Sequence, residues 1–254
     1  MTSSWVSKFE LKRQGSGKWC YVPSEEGRAA GLAVQHEVEH IWKAPSNYFH
    51  LRKGGHVAAI QHHLSNASFV RLDLTNFFGS ITATRITRSL RTKLGYSRAR
   101  EIALLSTVSP PGASGSRSLP YGFVQSPLLA SVCLAESALG RQLQRISFEH
   151  DVRVSVYVDD IIVSSKDRDR IAAIKTKLEY AAIRSGFRFN FTKSQGPSPE
   201  INAFNIEISH DSMRVSPTRF LEFQIRYQTD SDEQVRQALL AYVRSVNVEQ
   251  AKKM

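Results

Sequence analysis

A chain of 254 residues, 41% hydrophobic and 22% charged, can bury a real core as one large or two small domains, and no apolar run in it is long enough to span a bilayer. Its formal charge of +11 favours a polyanionic partner, because each phosphate neutralised by Lys or Arg releases condensed counterions. Met1 to Leu11 lacks an apolar signal core, and the distant Cys20 and Cys133 fit no zinc or disulfide framework, so the expectation is a cytoplasmic protein with reduced cysteines and no membrane partner.

Along the chain, Val6 to Leu11 and Trp19 to Val22 flank the turn Gln14-Gly15-Ser16-Gly17 and read as a hairpin. Pro23 to Arg28 reads as a loop or helix entry, and Ala29 to Trp42 as a helix. Leu51-Arg52-Lys53-Gly54-Gly55 is a basic glycine loop before a helix from about His56 to Leu64. Phe69 to Leu74 alternates, with Phe69, Arg71 and Asp73 on one face, which predicts a strand. Helices follow over Thr82 to Leu94 and Ser97 to Val108, then a flexible loop over Ser109 to Ser118. Ser126-Pro127 opens a long helix running to about Leu143, with Ser126 as cap and Pro127 at the first helical position.

Val152, Val154, Val156 and Val158 then share one strand face, Arg153, Ser155, Tyr157 and Asp159 the other, and Ile161-Ile162-Val163 resumes the apolar pattern. Asp159 and Asp160 therefore sit at a hairpin tip. Adjacent carboxylates repel unless a cation or solvent offsets them, so the pair suggests a divalent metal site, although taken alone it reads equally well as a solvated turn. A helix over Asp167 to Ser185 is closed by Gly186. Phe187 to Phe191 and Ile201 to Ser209 read as closing strands, and Asp232 to Val246 as a terminal helix. This order fits an α+β plan, an antiparallel sheet with helices on one face and an open face that carries the acids. Two-metal phosphoryl transfer needs a minimal carboxylate set beside phosphate and water oxygens, and Asp73 with Asp159 and Asp160 would supply it.

Four segments make the chain resemble the bacterial reverse transcriptases of the retron, group II intron and phage-defence branch. Phe69-Val-Arg-Leu-Asp73-Leu-Thr-Asn-Phe-Phe78-Gly-Ser-Ile81 resembles the first palm motif. Leu119-Pro120-Tyr121-Gly122 with Ser126-Pro127-Leu128-Leu129 is similar to the second, Tyr157-Val158-Asp159-Asp160 to the third, and Gly186 to Lys193 to the fourth. The resemblance runs from about Phe9 to Phe220. It implies a right-hand polymerase with an antiparallel-sheet palm, fingers and a reduced C-terminal thumb. The corresponding partition is fingers over 1–68, first catalytic palm strand over 69–84, a helical insertion and loop over 85–118, palm with the acidic hairpin over 119–215, and thumb or C-terminal helix over 216–254.

The resemblance further implies an RNA-directed DNA polymerase that uses two Mg2+ ions, with Mn2+ able to substitute. Its partners would be an RNA template (a cognate noncoding RNA in a retron or anti-phage defence setting), dNTPs and cDNA product, with a protein effector or homo-oligomer as a further partner. Asp73 and Asp159 would be the principal metal ligands, Asp160 a third and less directly bound acid, and Lys193 the general acid for pyrophosphate or a phosphate contact. Phe78 would be the steric gate against a ribose 2′-hydroxyl. Tyr121 and Gly122 would sit beside the nucleotide, with Tyr157 in the same substrate-binding set. Lys12 and Lys18 resemble the triphosphate-holding hairpin, and Arg52 and Lys53 a second basic finger element.

Two residues depart from the family pattern: Tyr121 stands where Gln is usual and cannot supply a carboxamide, and Lys18 stands where Arg is usual and cannot bind bidentately. After Pro217 the sequence suggests about one strand or loop and one helix, short for a thumb and with no room for a maturase, nuclease or RNase H module. The rival readings are a non-catalytic RNA-binding scaffold with a polymerase fold and an RNA-dependent RNA polymerase.

Overall fold

In the computed structural model, which describes residues 6–10, 19–109 and 116–254, each period-two stretch noted above is extended and each amphipathic stretch is helical. The elements are β1 (Val6–Glu10), β2 (Trp19–Pro23), α1 (Glu25–Ile41), α2 (Gly55–Gln61), β3 (Ser68–Asp73), α3 (Phe77–Ser80), α4 (Ala83–Leu105), α5 (Ser126–Ala135), α6 (Ala138–Ser147) and β4 (Val152–Tyr157). They continue with β5 (Asp160–Ser165), α7 (Arg168–Arg184), β6 (Gln195–Ser198), β7 (Ile201–Ala203), β8 (Ile206–Ser209), β9 (Ser212–Val215), α8 (Pro217–Thr229), α9 (Glu233–Val246) and α10 (Val248–Ala251). The chain divides into two units. One comprises the chain up to Ser46, Leu74–Gln142 and Ala181–Arg188; the other comprises Asn47–Asp73, Leu143–Tyr180 and Phe189–Met254.

In the first unit β1 pairs antiparallel with β2. Helix α1 starts earlier than its apolar pattern predicts, because the Ser24 hydroxyl accepts from Gly27 N–H at 3.2 Å and Glu25 and Glu26 face the positive end of the dipole. The two helices expected between Thr82 and Val108 are both present within α4, separated by a kink at Gly95, whose backbone (φ 75°) leaves the helical region. The single helix expected from Ser126 is two, α5 and α6, and Gln125 rather than Ser126 occupies its cap position. Ser137 causes the break: its hydroxyl accepts from Gly140 N–H at 3.1 Å and so caps a fresh helix. Of the loop expected over Ser109 to Ser118, residues 110–115 lie outside the described residues, as do Lys12 and Lys18.

The second unit holds a four-stranded antiparallel sheet ordered β4-β5-β3-β6 and a three-stranded meander β7-β8-β9. The strand expected over Ile201 to Ser209 is instead the β7–β8 hairpin. Its turn residues Phe204 (φ 56°) and Asn205 (φ 62°) are both left-handed, the backbone that a two-residue connection requires. Phe187 to Phe191 is not a strand and is tied by single backbone bonds such as Asn190 N–H to the Asp73 carbonyl at 2.8 Å. After Ser216 come three helices, α8, α9 and α10, where one was expected.

The sheet has no open face at its centre. Phe69, expected beside the acids on the open face, is fully buried with Ile162, Ile201, Ile206, Ile208, Val243 and Val246 in a core between the sheet, the meander and α9. Burying such a phenylalanine contributes about 1.5–3 kcal/mol relative to exposing it. Several polar groups in this unit's interior are hydrogen-bonded to one another. The buried His63 ring lies 2.7 Å from the Ser164 hydroxyl on β5 and 2.8 Å from the Ser155 hydroxyl on β4, and Asn66 also donates to Ser164 at 2.8 Å.

Burial holds His63 well below the usual histidine pKa and His50 down to about 4. Below about pH 6.5 the unfolded chain takes up protons that the folded one refuses, so this stability is present above that pH and drains as pH falls toward the folded values. Urea denaturation should therefore give a lower unfolding free energy at pH 5.5 than at pH 7.5, and His63→Gln should flatten that dependence. An unchanged slope in the variant would contradict the assignment of the buried neutral ring.

Candidate active site

Three consecutive antiparallel strands bring the acids together. Register pairs Asp73 at the end of β3 with Asp160 at the start of β5, and Tyr157 at the end of β4 with Asp160, which leaves Val158-Asp159 as a two-residue turn. Such a turn needs a left-handed first residue, and Val158 has φ 58°. For a β-branched side chain that conformation costs about 1–3 kcal/mol, so surrounding contacts must hold it. The tip is therefore a strained hairpin built to project Asp159.

Asp160 faces an arginine. Arg71, two residues before Asp73 and on the same face of β3, gives both Nε and Nη2 to Asp160 Oδ1 at 2.8 Å and donates Nη1 to the Asn202 carbonyl at 2.9 Å. Burial still raises the Asp160 pKa, with Asp73 adding to the rise and Arg71 and Lys193 opposing it. Asp73 is 6% exposed, and its carboxylate meets a cation only loosely, Lys193 Nζ at 3.7 Å. Lys193 itself is largely exposed, at the end of the turn in which the Asn190 carboxamide accepts from Thr192 and the Ser194 hydroxyl donates to the Asn190 carbonyl at 2.8 Å. The same Ser194 oxygen accepts from Asp73 N–H at 3.4 Å.

Among the described residues, no three His, Cys, Asp or Glu side chains gather into a preformed metal-binding cluster. One Asp160 oxygen, Oδ1, is engaged by Arg71. A divalent cation nevertheless fits this donor set. The buried Asp73 carboxylate is under-compensated by a lysine at 3.7 Å, and Asp159 at the turn adds a hard oxygen donor of the kind magnesium takes.

Around the tip lies an aromatic collar. Tyr157 is edge-on to His50 (centroids 5.8 Å), His56 (6.1 Å) and Phe204 (5.0 Å). It helps to line a pocket of about 440 Å3 with His56, Phe204, Arg219, Phe223 and Tyr242. Arg219 lies over the Phe223 ring at 4.6 Å, and His56 Nε2 is 3.2 Å from the Tyr242 hydroxyl. Arg52 and Lys53 are exposed in the same unit, with the Arg52 guanidinium 5.1 Å from the Phe49 ring centroid.

The remaining sequence-derived residues belong to the first unit. Phe78 on α3 is 9% exposed and meets Tyr121 edge-to-face at 4.9 Å, while Phe77 packs against Phe187 at 5.8 Å. Tyr121 is fastened to β2 by Tyr21 N–H donating to its carbonyl at 2.8 Å. Gly122 follows with φ 107°, and a Cβ there would fall 2.1 Å from the Tyr21 carbonyl oxygen, so only glycine allows this approach. Arg71, His50 and the Phe204–Asn205 turn went unrecognised in the sequence as site residues. The period-two face already grouped Arg71 with Asp73, whereas nothing local signals the other two.

The ion pair yields a direct expectation. Arg71→Leu leaves Asp160 desolvated without a partner and should cost about 2–4 kcal/mol in urea denaturation. Adding Asp160→Asn should recover much of that loss; a double variant no more stable than Arg71→Leu would show that the arginine matters through packing alone.

Comparison with known proteins agrees with this geometry. The family model described as "Reverse transcriptase (RNA-dependent DNA polymerase)" matches residues 11–225. Among curated proteins, the Retron Mx65 reverse transcriptase of Myxococcus xanthus is 24% identical over 213 residues, covering 76% of this chain and 49% of that protein. The Gag-Pol polyprotein of Walleye dermal sarcoma virus is 41% identical over 51 residues, 20% of this chain and 3% of the polyprotein. The chain thus spans about half the length of the retron protein and a small part of the polyprotein. Similar solved structures include a foamy viral protease-reverse transcriptase in complex with RNA/DNA hybrid (TM-score 0.56, 17% identity, 94% of this chain and 27% of that one). Telomerase from Candida albicans in complex with a fragment of telomeric RNA has a TM-score of 0.60 at 10% identity, over 98% of this chain and 56% of that one. At these identities the structures speak for the fold, an antiparallel-sheet polymerase architecture, and the family match over residues 11–225 carries the assignment: the chain belongs to the reverse transcriptase family.

Proposed function

We propose that this protein is an RNA-directed DNA polymerase of the bacterial retron type, extending a 3′ end by two-metal nucleotidyl transfer. The observation that supports this reading is the register that sets the buried Asp73, met by Lys193 only at 3.7 Å, opposite Asp160 at the end of the hairpin whose turn is Val158-Asp159. A scaffold that only bound RNA would gain nothing from carboxylates facing phosphates, which argues against the non-catalytic alternative. A dedicated noncoding RNA template in a defence setting is part of this proposal, prompted by the likeness to a retron reverse transcriptase, and the +11 charge suits a nucleic-acid partner.

Asp73 and Asp159 would hold the divalent cations. Mg2+, or Mn2+ in its place, bound there lowers the pKa of the attacking hydroxyl and offsets charge on the leaving pyrophosphate. Arg71 opposes the rise that burial gives the Asp160 pKa and fixes that carboxylate, so that the third acid would contribute field and position. Lys193, mobile enough to leave Asp73, is suited to neutralise or protonate pyrophosphate. The collar of Tyr157, Phe204 and Tyr242 offers flat surfaces on which terminal bases stack. Phe78, locked against Tyr121, would exclude a ribose 2′-hydroxyl, and Gly122 would let a nucleotide approach the backbone. Arg52 and Lys53, with Lys12 and Lys18, would serve as phosphate contacts. In this reading residues 1–68 act as fingers, 69–84 and 119–215 as palm, 85–118 as a helical insertion, and 216–254 as thumb.

Purified protein given a primed RNA template, dNTPs and Mg2+ should synthesise DNA. Asp159→Ala with Asp160→Ala should lose activity on the order of a thousandfold or more; equal product from that double variant overturns the reading. Phe78→Ala should raise use of NTPs relative to dNTPs by about 10–100-fold. Unchanged discrimination would remove Phe78 from the gate role.

A further inference from the structure

Sheet order leaves β4 at an edge, and the segment before α2 lies along it as a strap. Asn47 accepts from Val156 N–H through its carbonyl at 2.8 Å, and Tyr48 bridges Val156 in parallel fashion. The next outward donor on that edge is Val158 N–H, at the left-handed residue of the acidic turn. That N–H donates to the Nδ1 atom of His50, at 3.1 Å.

A backbone N–H can only donate, so Nδ1 must carry its lone pair and the ring is neutral with its proton on Nε2. The same Nδ1 lies 3.4 Å from the Val156 carbonyl, a longer approach that would require the opposite protonation. The Val158 bond therefore decides the tautomer. Burial favours the neutral ring as well, lowering the His50 pKa to about 4. The ring is further fixed edge-on against Tyr157, 5.8 Å between centroids at 69°.

We infer that His50 is a positioning residue for nucleotidyl transfer: its imidazole stands in for a neighbouring strand's carbonyl, binds Val158 N–H and holds the strained turn that aims Asp159. This rests on the polymerase reading for its catalytic consequence, while the hydrogen bond itself is independent of it. Valine is a poor occupant of a left-handed site, so the turn depends on an external acceptor to persist. A glycine there would not.

Two substitutions separate acceptor from packing. His50→Asn keeps an oxygen near the Nδ1 position and loses the ring; His50→Phe keeps a ring against Tyr157 and loses the acceptor. Amide hydrogen exchange at Val158, followed by NMR, should remain slow in wild type and His50→Asn and become about tenfold faster or more in His50→Phe. In primer extension His50→Phe should lower kcat on the order of tenfold or more with little change in KM for dNTP, and His50→Asn should restore most of it. In a Val158→Gly background His50→Phe should cost much less. Val158 exchange unaltered by His50→Phe, or a loss in His50→Asn equal to that in His50→Phe, overturns the inference. The exchange arm needs no activity, so if the wild-type protein makes no DNA the polymerase reading fails while the role of His50 in holding the turn is still decided.

Discussion

Like charges brought together at one end of a sheet are the constraint on which the rest of this molecule depends. Antiparallel pairing of β3 with β5 sets Asp73 opposite Asp160, and the two-residue turn adds Asp159 next to it. Asp73 and Asp160, both partly removed from water, repel one another. The protein answers with cations of unequal grip: Arg71 forks onto Asp160, whereas Lys193 stands off Asp73 at 3.7 Å. Asp160 is thus held by a close ion pair, and Asp73 is not.

Further contacts hold the backbone of that arrangement in place. His63 ties β4 to β5 through two buried serines, Ser194 joins the Asn190 turn to the Asp73 backbone, and the strap at Asn47 to His50 covers the exposed edge of β4. These bonds are buried or half-buried, so each is worth more for being sheltered, and the loss of either partner leaves a desolvated group behind. Aromatic rings around Tyr157 supply the apolar part of the same support.

Much of the site was legible in the sequence because its parts follow local periods. Alternation gave β3, β4 and the hairpin, and it placed Arg71 and Asp73 on one face. What it could not give was the partner of Arg71, since Asp160 lies 89 residues further on and strand register across that distance has no local signal. The buried position of Phe69 escaped for a similar reason: its cover comes from the meander and α9, elements whose own contacts appear only in three dimensions. Ile201 to Ser209 reads as one apolar run, and only the left-handed backbone at Phe204 and Asn205 divides it. Gln125 and Ser137 show the same limit at helix ends, where a cap one residue away changes the boundary without changing the pattern.

The interleaving of the two units has a consequence for how the chain acquires its site. Strand β3 leaves the ribosome long before β5 and β6, its partners on either side, and the core that buries Phe69 is completed only by α9. The chain must emerge through Ser165 before Asp73 meets its hairpin. Long-range pairings of this kind fold slowly and expose a bare strand edge meanwhile. A nascent chain would thus carry Asp73 as part of an unpaired, aggregation-prone strand, and the pairing of Asp73 with Asp160 would arrive late.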